Sequence, residues 1–191
     1  MNDIARNKTL FKEIVASTIH RDGISDLMNW LETTDFYEAP SSARYHGAEP
    51  GGLCAHSLGV YNRLKSLQDG ESDESIAVVS LFHDLCKVNF YKVSMRNTKD
   101  ENGRWIQVPY YEFRDWDTAS VPLGHGEKSL YMIMKYLKVT DEEACAVRWH
   151  MGFSTVELQI EKPMLAMALH KYKLVLKLQT ADSQSAFWDN V

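Results

Sequence analysis

Cysteine is scarce in this 191-residue chain and poorly placed for cross-linking. Cys54, Cys86 and Cys145 are odd in number, far apart and without a CxxC pair, so free thiols rather than a disulfide framework are expected. For Cys54 and Cys86, which lie near histidines in sequence, the expected role is that of a small buried hydrophobe. Long apolar runs are missing too. No stretch reaches the roughly 20 residues that cross a bilayer, and "MNDIARNKTLFKE" is too polar for a secretory signal, so the expectation is a cytoplasmic protein with no membrane partner. Positive charge is also short, with 21 Lys and Arg against 26 Asp and Glu for a formal charge of −5. That balance argues against extended nucleic acid, which needs many phosphate-neutralising contacts, and leaves room for a small phosphorylated substrate. No internal repeat, low-complexity tract or composition shift divides the chain.

What is present fits one soluble domain over 1–191, since 45% of residues are hydrophobic and 25% charged, enough for a sizeable core. Apolar spacing predicts a helix over 1–20, through Leu10, Phe11, Ile14 and Val15, and another over 24–32. "EAPSSARYHGAEPGG" then reads as an ordered loop or lid, dense in Pro, Gly and Ser. Helices are expected at 53–67 and 74–87, the latter capped by Ser72 or Asp73. The period then changes. "FYKVSMRNTKDENGRWIQVPYYEFR" is aromatic and β-branched on both sides of Asn102-Gly103, which predicts a β-hairpin over about 90–113 inserted between helices. Helical spacing resumes over 124–137, 141–150 (with Thr140 and Glu143 as a capping box) and 162–180, starting near Pro163. The fold class expected is all-α, a helical bundle carrying a small hairpin.

Inside the apolar run "SLFHDLCK" stand His83 and Asp84, two adjacent ionisable groups. A buried charge is costly unless it is paired, neutralised or bound to a metal, so the pair calls for partners elsewhere in the chain. Of the seven histidines, His56, His83, His125 and His150 fall on or at the ends of predicted helices, and Asp182 follows the last one. Imidazole and carboxylate together suit a divalent iron, manganese, zinc, nickel or cobalt ion, and a carboxylate can bridge two such ions. Each histidine taken alone is equally a hydrogen-bonded core residue. Asp84 has solvent exposure as its alternative, because a capping role does not suit the middle of a helix.

The blocks "YHGAEPGGLCAHSLGVYNRL", "SLFHDLCKV", "PLGHGEKSLYMI", "RWHMG" and "LQTAD" occur in that order, and with them the chain resembles the HD-domain superfamily of metal-dependent phosphohydrolases. Within it the resemblance runs to the HD domain of bacterial 3′-to-5′ exoribonucleases and related uncharacterised hydrolases. It covers roughly residues 44–186, which would form the metal-binding core of a single HD-type domain, with 1–40 as a helical extension. The resemblance implies a bundle around a metal centre in which His56, His83, Asp84 and Asp182 hold one ion. It further implies a second ion on His125 and His150, with Asp84 bridging, and His46 at the substrate or the pocket mouth. Cys86 departs from the family's frequent glycine, and Met151 from a frequent second histidine. The chain has no room for the exoribonucleases' nucleic-acid-binding domain, so RNA degradation does not carry over.

The implied activity is a metal-dependent phosphohydrolase acting on a nucleotide or other small phosphoester through a metal-activated water, with one or two ions. Asp84 and Lys87 are the candidate catalytic residues, Lys87 lying one turn beyond His83, with a solvated or capping lysine as its alternative. Arg44, His46 and Lys128 are candidate substrate contacts, since cations strengthen hydrogen bonds to phosphate. Arg148 reads as a surface residue. The aromatic run Tyr110, Tyr111, Phe113 and Trp116 is expected to pack the hairpin on the bundle rather than stack on a base. The competing readings are a non-catalytic metal-binding or regulatory module, and a helical adaptor whose histidines are incidental. The first helix is a candidate surface for a homo-oligomer.

Overall fold

Seven consecutive buried residues, Ile76 to Phe82, form the axis of the molecule. In the computed structural model, which describes residues 3–114, 121–156 and 159–189, they lie in the fourth of eight helices. In chain order these are α1 (Ile4–Thr18), α2 (Ile24–Glu32), α3 (Gly52–Ser66), α4 (Asp73–Phe82), α5 (His125–Met134), α6 (Asp141–Trp149), α7 (Glu161–Lys171) and α8 (Lys173–Trp188). Short 3-10 turns occupy Leu85–Lys87 and Gly152–Thr155. The chain is therefore mostly helical with one two-stranded antiparallel sheet, β1 (Tyr91–Lys99) and β2 (Trp105–Phe113). No helix among the described residues is long and apolar enough to cross a membrane.

A helix apolar on every side must be surrounded, and α4 is. Ser72 caps it, its side chain accepting from Ser75 N at 3.0 Å, and Asp73 and Glu74 complement the dipole in the first turn. α3 packs on α4, α1 and α8, while α6 packs on α4, α5 and α8. The first 40 residues share this core. Phe11 of α1 meets Phe36 and Phe82 edge-on at 5.0 and 5.8 Å. Leu10, expected on the apolar side of α1, is instead 39% exposed.

The capping box on α6 is present, and its acid has a second use. Glu143, 1% exposed, receives both terminal nitrogens of Arg21 at 2.9 Å, tying the α1–α2 connection to α6. At the start of α3, a side chain on Gly52 would fall 2.1 Å from Gly47 O. Only glycine lets the 41–51 loop close so tightly against the helix.

Three expectations need correction. The helix expected over 74–87 stops at Phe82, and His83 and Asp84 occupy the break before the 3-10 turn. The helix expected over 162–180 is two, broken at the extended Tyr172 (φ −127°, ψ 112°), and α8 continues to Trp188 so that Asp182 lies within it. The hairpin turns through a five-residue loop rather than a two-residue one, with Asp100 Oδ1 accepting from Asn102 N and Arg104 N at 2.9 Å. Trp116 lies outside the described residues.

Candidate metal centre

α4 and α6 end in the same way, and each ending arms a histidine. The last carbonyls of a helix lack intrahelical donors. At the C-cap of α4, His83 turns Nδ1 back to Ser80 O at 2.8 Å, and at the C-cap of α6, His150 turns Nδ1 back to Val147 O at 2.7 Å. A carbonyl only accepts, so both Nδ1 atoms carry the proton and both Nε2 atoms present a lone pair. Burial drives His83 down to about 4, which keeps it neutral. This backbone bond is the outer-shell contact that orients metal-ligating histidines.

The break after Phe82 explains how neighbouring residues share one centre. On a continuous helix His83 and Asp84 would diverge by about 100°. Asp84 instead has φ −107° and ψ 21°, and its carboxylate lies among the histidines. Its oxygens divide the centre in two. Oδ2 lies 3.4 Å from His83 Nε2 and 3.7 Å from His56 Nε2, whereas Oδ1 lies 2.9 Å from His125 Nε2 and 3.7 Å from His150 Nε2. Asp182 Oδ1, from α8, lies 3.0 Å from His56 Nε2 and 3.8 Å from His83 Nε2. The six residues of the expected ligand set thus meet at one place.

Their contacts are close but not satisfied. His56 Nε2, His83 Nε2 and Asp84 Oδ1 are buried without a directed hydrogen bond, an arrangement native proteins avoid unless something else belongs there. Ligand atoms of His56, His83 and Asp182, of His83, Asp84 and His150, and of Asp84, Cys86 and His125 all fall within 4.8 Å of one another in each group. Buried histidine, carboxylate and cysteine groups at this spacing can hold a metal ion, and the donor set fits a transition metal.

The local field agrees. Burial alone would raise Asp84, but the Lys87 ammonium at 2.5 Å, followed by the histidines, holds it well below the usual carboxylate range. Lys87 itself is lowered by burial and raised beyond that by Asp84, so the pair is ionic. Asp182 is likewise held down against burial, chiefly by His56. His125 is raised to about 10 because Cys86 and Asp84 outweigh its burial. Cys86 Sγ sits 3.2 Å from His125 Nδ1 and 3.9 Å from its Nε2, where it orients the imidazole. Cys54 is the buried hydrophobe expected, its thiol pushed by burial up to about 12.

A cavity of about 990 Å³ opens onto the centre, reaching Asp84, Lys87, His125, His150 and Asp182. His46 lines it, its ring 4.9 Å from that of His56, and burial lowers it to about 4. Arg44 is exposed beside the mouth and does not line the cavity. Lys128 is buried, with its ammonium 4.7 Å above the Phe90 ring rather than in the cavity wall. Arg148 is bound by Glu127 and Glu161. A cavity of about 330 Å³ between α1 and α2 is remote from these groups.

Sequence reasoning missed Tyr91, Phe153, Gln179, Ser183 and Phe187, all of which line the larger cavity. For α8 a signal existed. Gln179, Asp182, Ser183 and Ala186 recur at helical spacing, visible once the helix is carried past residue 180. No protein-family model matches the chain, and no curated protein and no solved structure matches it either. Fold and site together define a mostly helical protein with a buried histidine–carboxylate cluster able to take a metal ion.

Proposed function

We propose that this chain is a metal-dependent phosphohydrolase of the HD type, acting on a nucleotide or another small phosphoester. The observation that carries the reading is the gathering of ligand atoms from His56, His83, Asp84, His125, His150 and Asp182 beside an open cavity whose lining includes Asp84, His125, His150 and Asp182. A structural metal site is closed by protein ligands, whereas a catalytic one keeps a position open to substrate, so the cavity favours catalysis over a purely structural module.

His56, His83, Asp84 and Asp182 would hold one ion, and His125 and His150 a second, with one oxygen of Asp84 toward each. A divalent transition ion there, of iron, manganese, nickel, cobalt or zinc, supplies Lewis acidity that brings the pKa of a water near neutrality and offsets phosphoryl charge. The chain's own groups do the rest. Asp84 stays ionised and orients what binds beside it. Lys87, already at the cavity wall, directs an ammonium toward phosphoryl oxygens. His46, neutral, offers one donor and one acceptor nitrogen to the substrate.

The test is the metal content of the full chain, purified without chelator, beside Asp84→Ala. One to two equivalents in the wild type, lost in the variant together with phosphoester hydrolysis, is the expected result. No metal in either protein after anaerobic reconstitution would overturn the proposal.

A further inference from the structure

Two buried hydroxyls at the cavity stand outside the hydrogen bonding that holds the rest of the site. Ser41 is fully buried and its Oγ has no partner, although the residue lines the cavity. Tyr91, at the start of β1, lines it too and is 8% exposed. Its carbonyl accepts from Arg114 Nε, but its phenolic Oη makes no hydrogen bond among the described residues. We propose that Tyr91 Oη and Ser41 Oγ are two donors that hold oxygens of the substrate's phosphoryl group beside Lys87. The inference rests on the phosphohydrolase reading and adds to that site a kind of group its ligand set lacks, the neutral hydroxyl.

A polar group left unpaired inside a protein is costly, and native structures seldom keep one without a reason. Here the fold also fixes both residues in place. Tyr91 stacks on Phe113 at 5.7 Å and meets Phe90 edge-on at 5.3 Å, while Arg114 Nε holds its carbonyl at 3.0 Å. A phenol gripped by its ring and its main chain presents its oxygen with little freedom, as a preorganised contact requires. At the other residue, Ser41 N donates to Gly47 O at 2.8 Å. Gly47 has φ +60°, and a side chain there would fall 2.8 Å from Ser41 Cβ, so only glycine lets the loop close on the serine.

The hydroxyls supply what their neighbours cannot. Asp84 and Asp182, while ionised, only accept. The Lys87 ammonium has three donors, of which Asp84 Oδ2 takes one at 2.5 Å. The fields of Lys87 and Asp84 both reach the Tyr91 phenol, which sets it in their part of the cavity. Burial pushes that phenol up to about 12, so it keeps its proton and remains a donor. A hydroxyl donates without adding charge and can also accept. It therefore suits both the dianion and the protonated monoanion of a phosphoryl group.

The experiment is calorimetric titration of methylphosphonate, a hydrolysis-resistant phosphoryl probe, into the full chain as purified, with metal content measured before and after. Tyr91→Phe keeps the ring on Phe113 and removes the oxygen alone, and Ser41→Ala does the same at the loop. Each should weaken the phosphonate about tenfold, the size of one lost hydrogen bond to a charged group, with no loss of metal content or melting temperature. Tyr110→Phe is the comparison and should bind as the wild type does, since its hydroxyl donates to Glu112 at 2.7 Å and the residue does not line the cavity. Wild-type affinity in both Tyr91→Phe and Ser41→Ala overturns the proposal and leaves the two hydroxyls to water. Weakening that tracks a loss of metal or of melting temperature overturns it as well, because the effect is then on the fold. An effect of one substitution alone overturns the two-point contact, and a wild type that binds no phosphonate overturns the whole. Because binding is read apart from turnover, the expected pattern without hydrolysis of any phosphoester supports the inference and sinks only the hydrolase reading.

Discussion

The histidine–aspartate centre and the β-hairpin are opposites in how the fold holds them. Every ligand at the centre is anchored on a helix or at a helix end, and His56, His83, Asp84 and His150 are at most 2% exposed. The hairpin is held at its base, where Tyr91 stacks on Phe113 at 5.7 Å and Arg114 N donates to Phe90 O. Beyond that, Val93, Met95 and Trp105 are 52–71% exposed on one face of the ribbon. The expectation that the hairpin packs on the bundle therefore describes its base and not its tip. Rigidity is concentrated where donor atoms must be placed in advance, and the element beside the cavity mouth is free of that demand.

The sharpest way to break this contrast is at Asp84. Asp84→Ala should abolish metal binding and lower hydrolysis at least a thousandfold. It also leaves Lys87 buried without its anion, so the metal-free variant should lose about 3 kcal/mol in denaturant melts. Next in size is Glu143→Gln, which unpairs Arg21 and should cost about 2–3 kcal/mol. Burial raises Glu143, but Arg21 holds it below its ordinary value. A depressed carboxylate stabilises the fold above its unfolded pKa and loses that contribution as pH falls through the folded one. Wild-type stability should therefore drop more steeply than that of the variant as the pH is taken down below about 4.5. A parallel slope would show that the pair is not coupled to folding.

Cys86→Ser should act on one half of the centre. A hydroxyl reaches less far toward His125 Nδ1, so a titration should show the second ion weakened about tenfold and the first unchanged. Equal weakening of both would place Cys86 outside the second position. The smallest effect belongs to the hairpin. Trp105, 71% exposed, should tolerate Ser within about 0.5 kcal/mol, with metal content unchanged. A large loss there would mean that the ribbon is covered in solution.

The helices were legible where apolar spacing was regular, as at α2, where the expected and observed limits coincide, and where a cap marked the start, as at the capping box of α6. They were misread where the pattern ran on past a break or faded before one. Apolar spacing continues through Leu85 and Cys86 although the helix has ended, because the break serves the carboxylate of Asp84 and leaves no trace in hydrophobicity. α8 was cut short because "ADSQSA" looks polar, whereas Asp182 and Ser183 line the cavity and Ala181 and Ser185 still pack inward. The ligand candidates could be gathered by residue type and block order. Their distances, the division of Asp84 between two pairs of histidines, and the burial of Lys128 against Phe90 depend on tertiary packing that no local pattern encodes.

The proton on His83 and on His150 is set by a main-chain carbonyl three residues back. Side-chain replacement at Ser80 or Val147 leaves that carbonyl in place, so the donors at the centre are insulated from point substitution there. They are not insulated from changes in chain length. A single residue inserted within α4 or α6 rotates the helix end by about 100° and carries the imidazole, together with its carbonyl, out of register with its neighbours across the centre. Length between cap and histidine, rather than the identity of the intervening side chains, is what inheritance has to preserve.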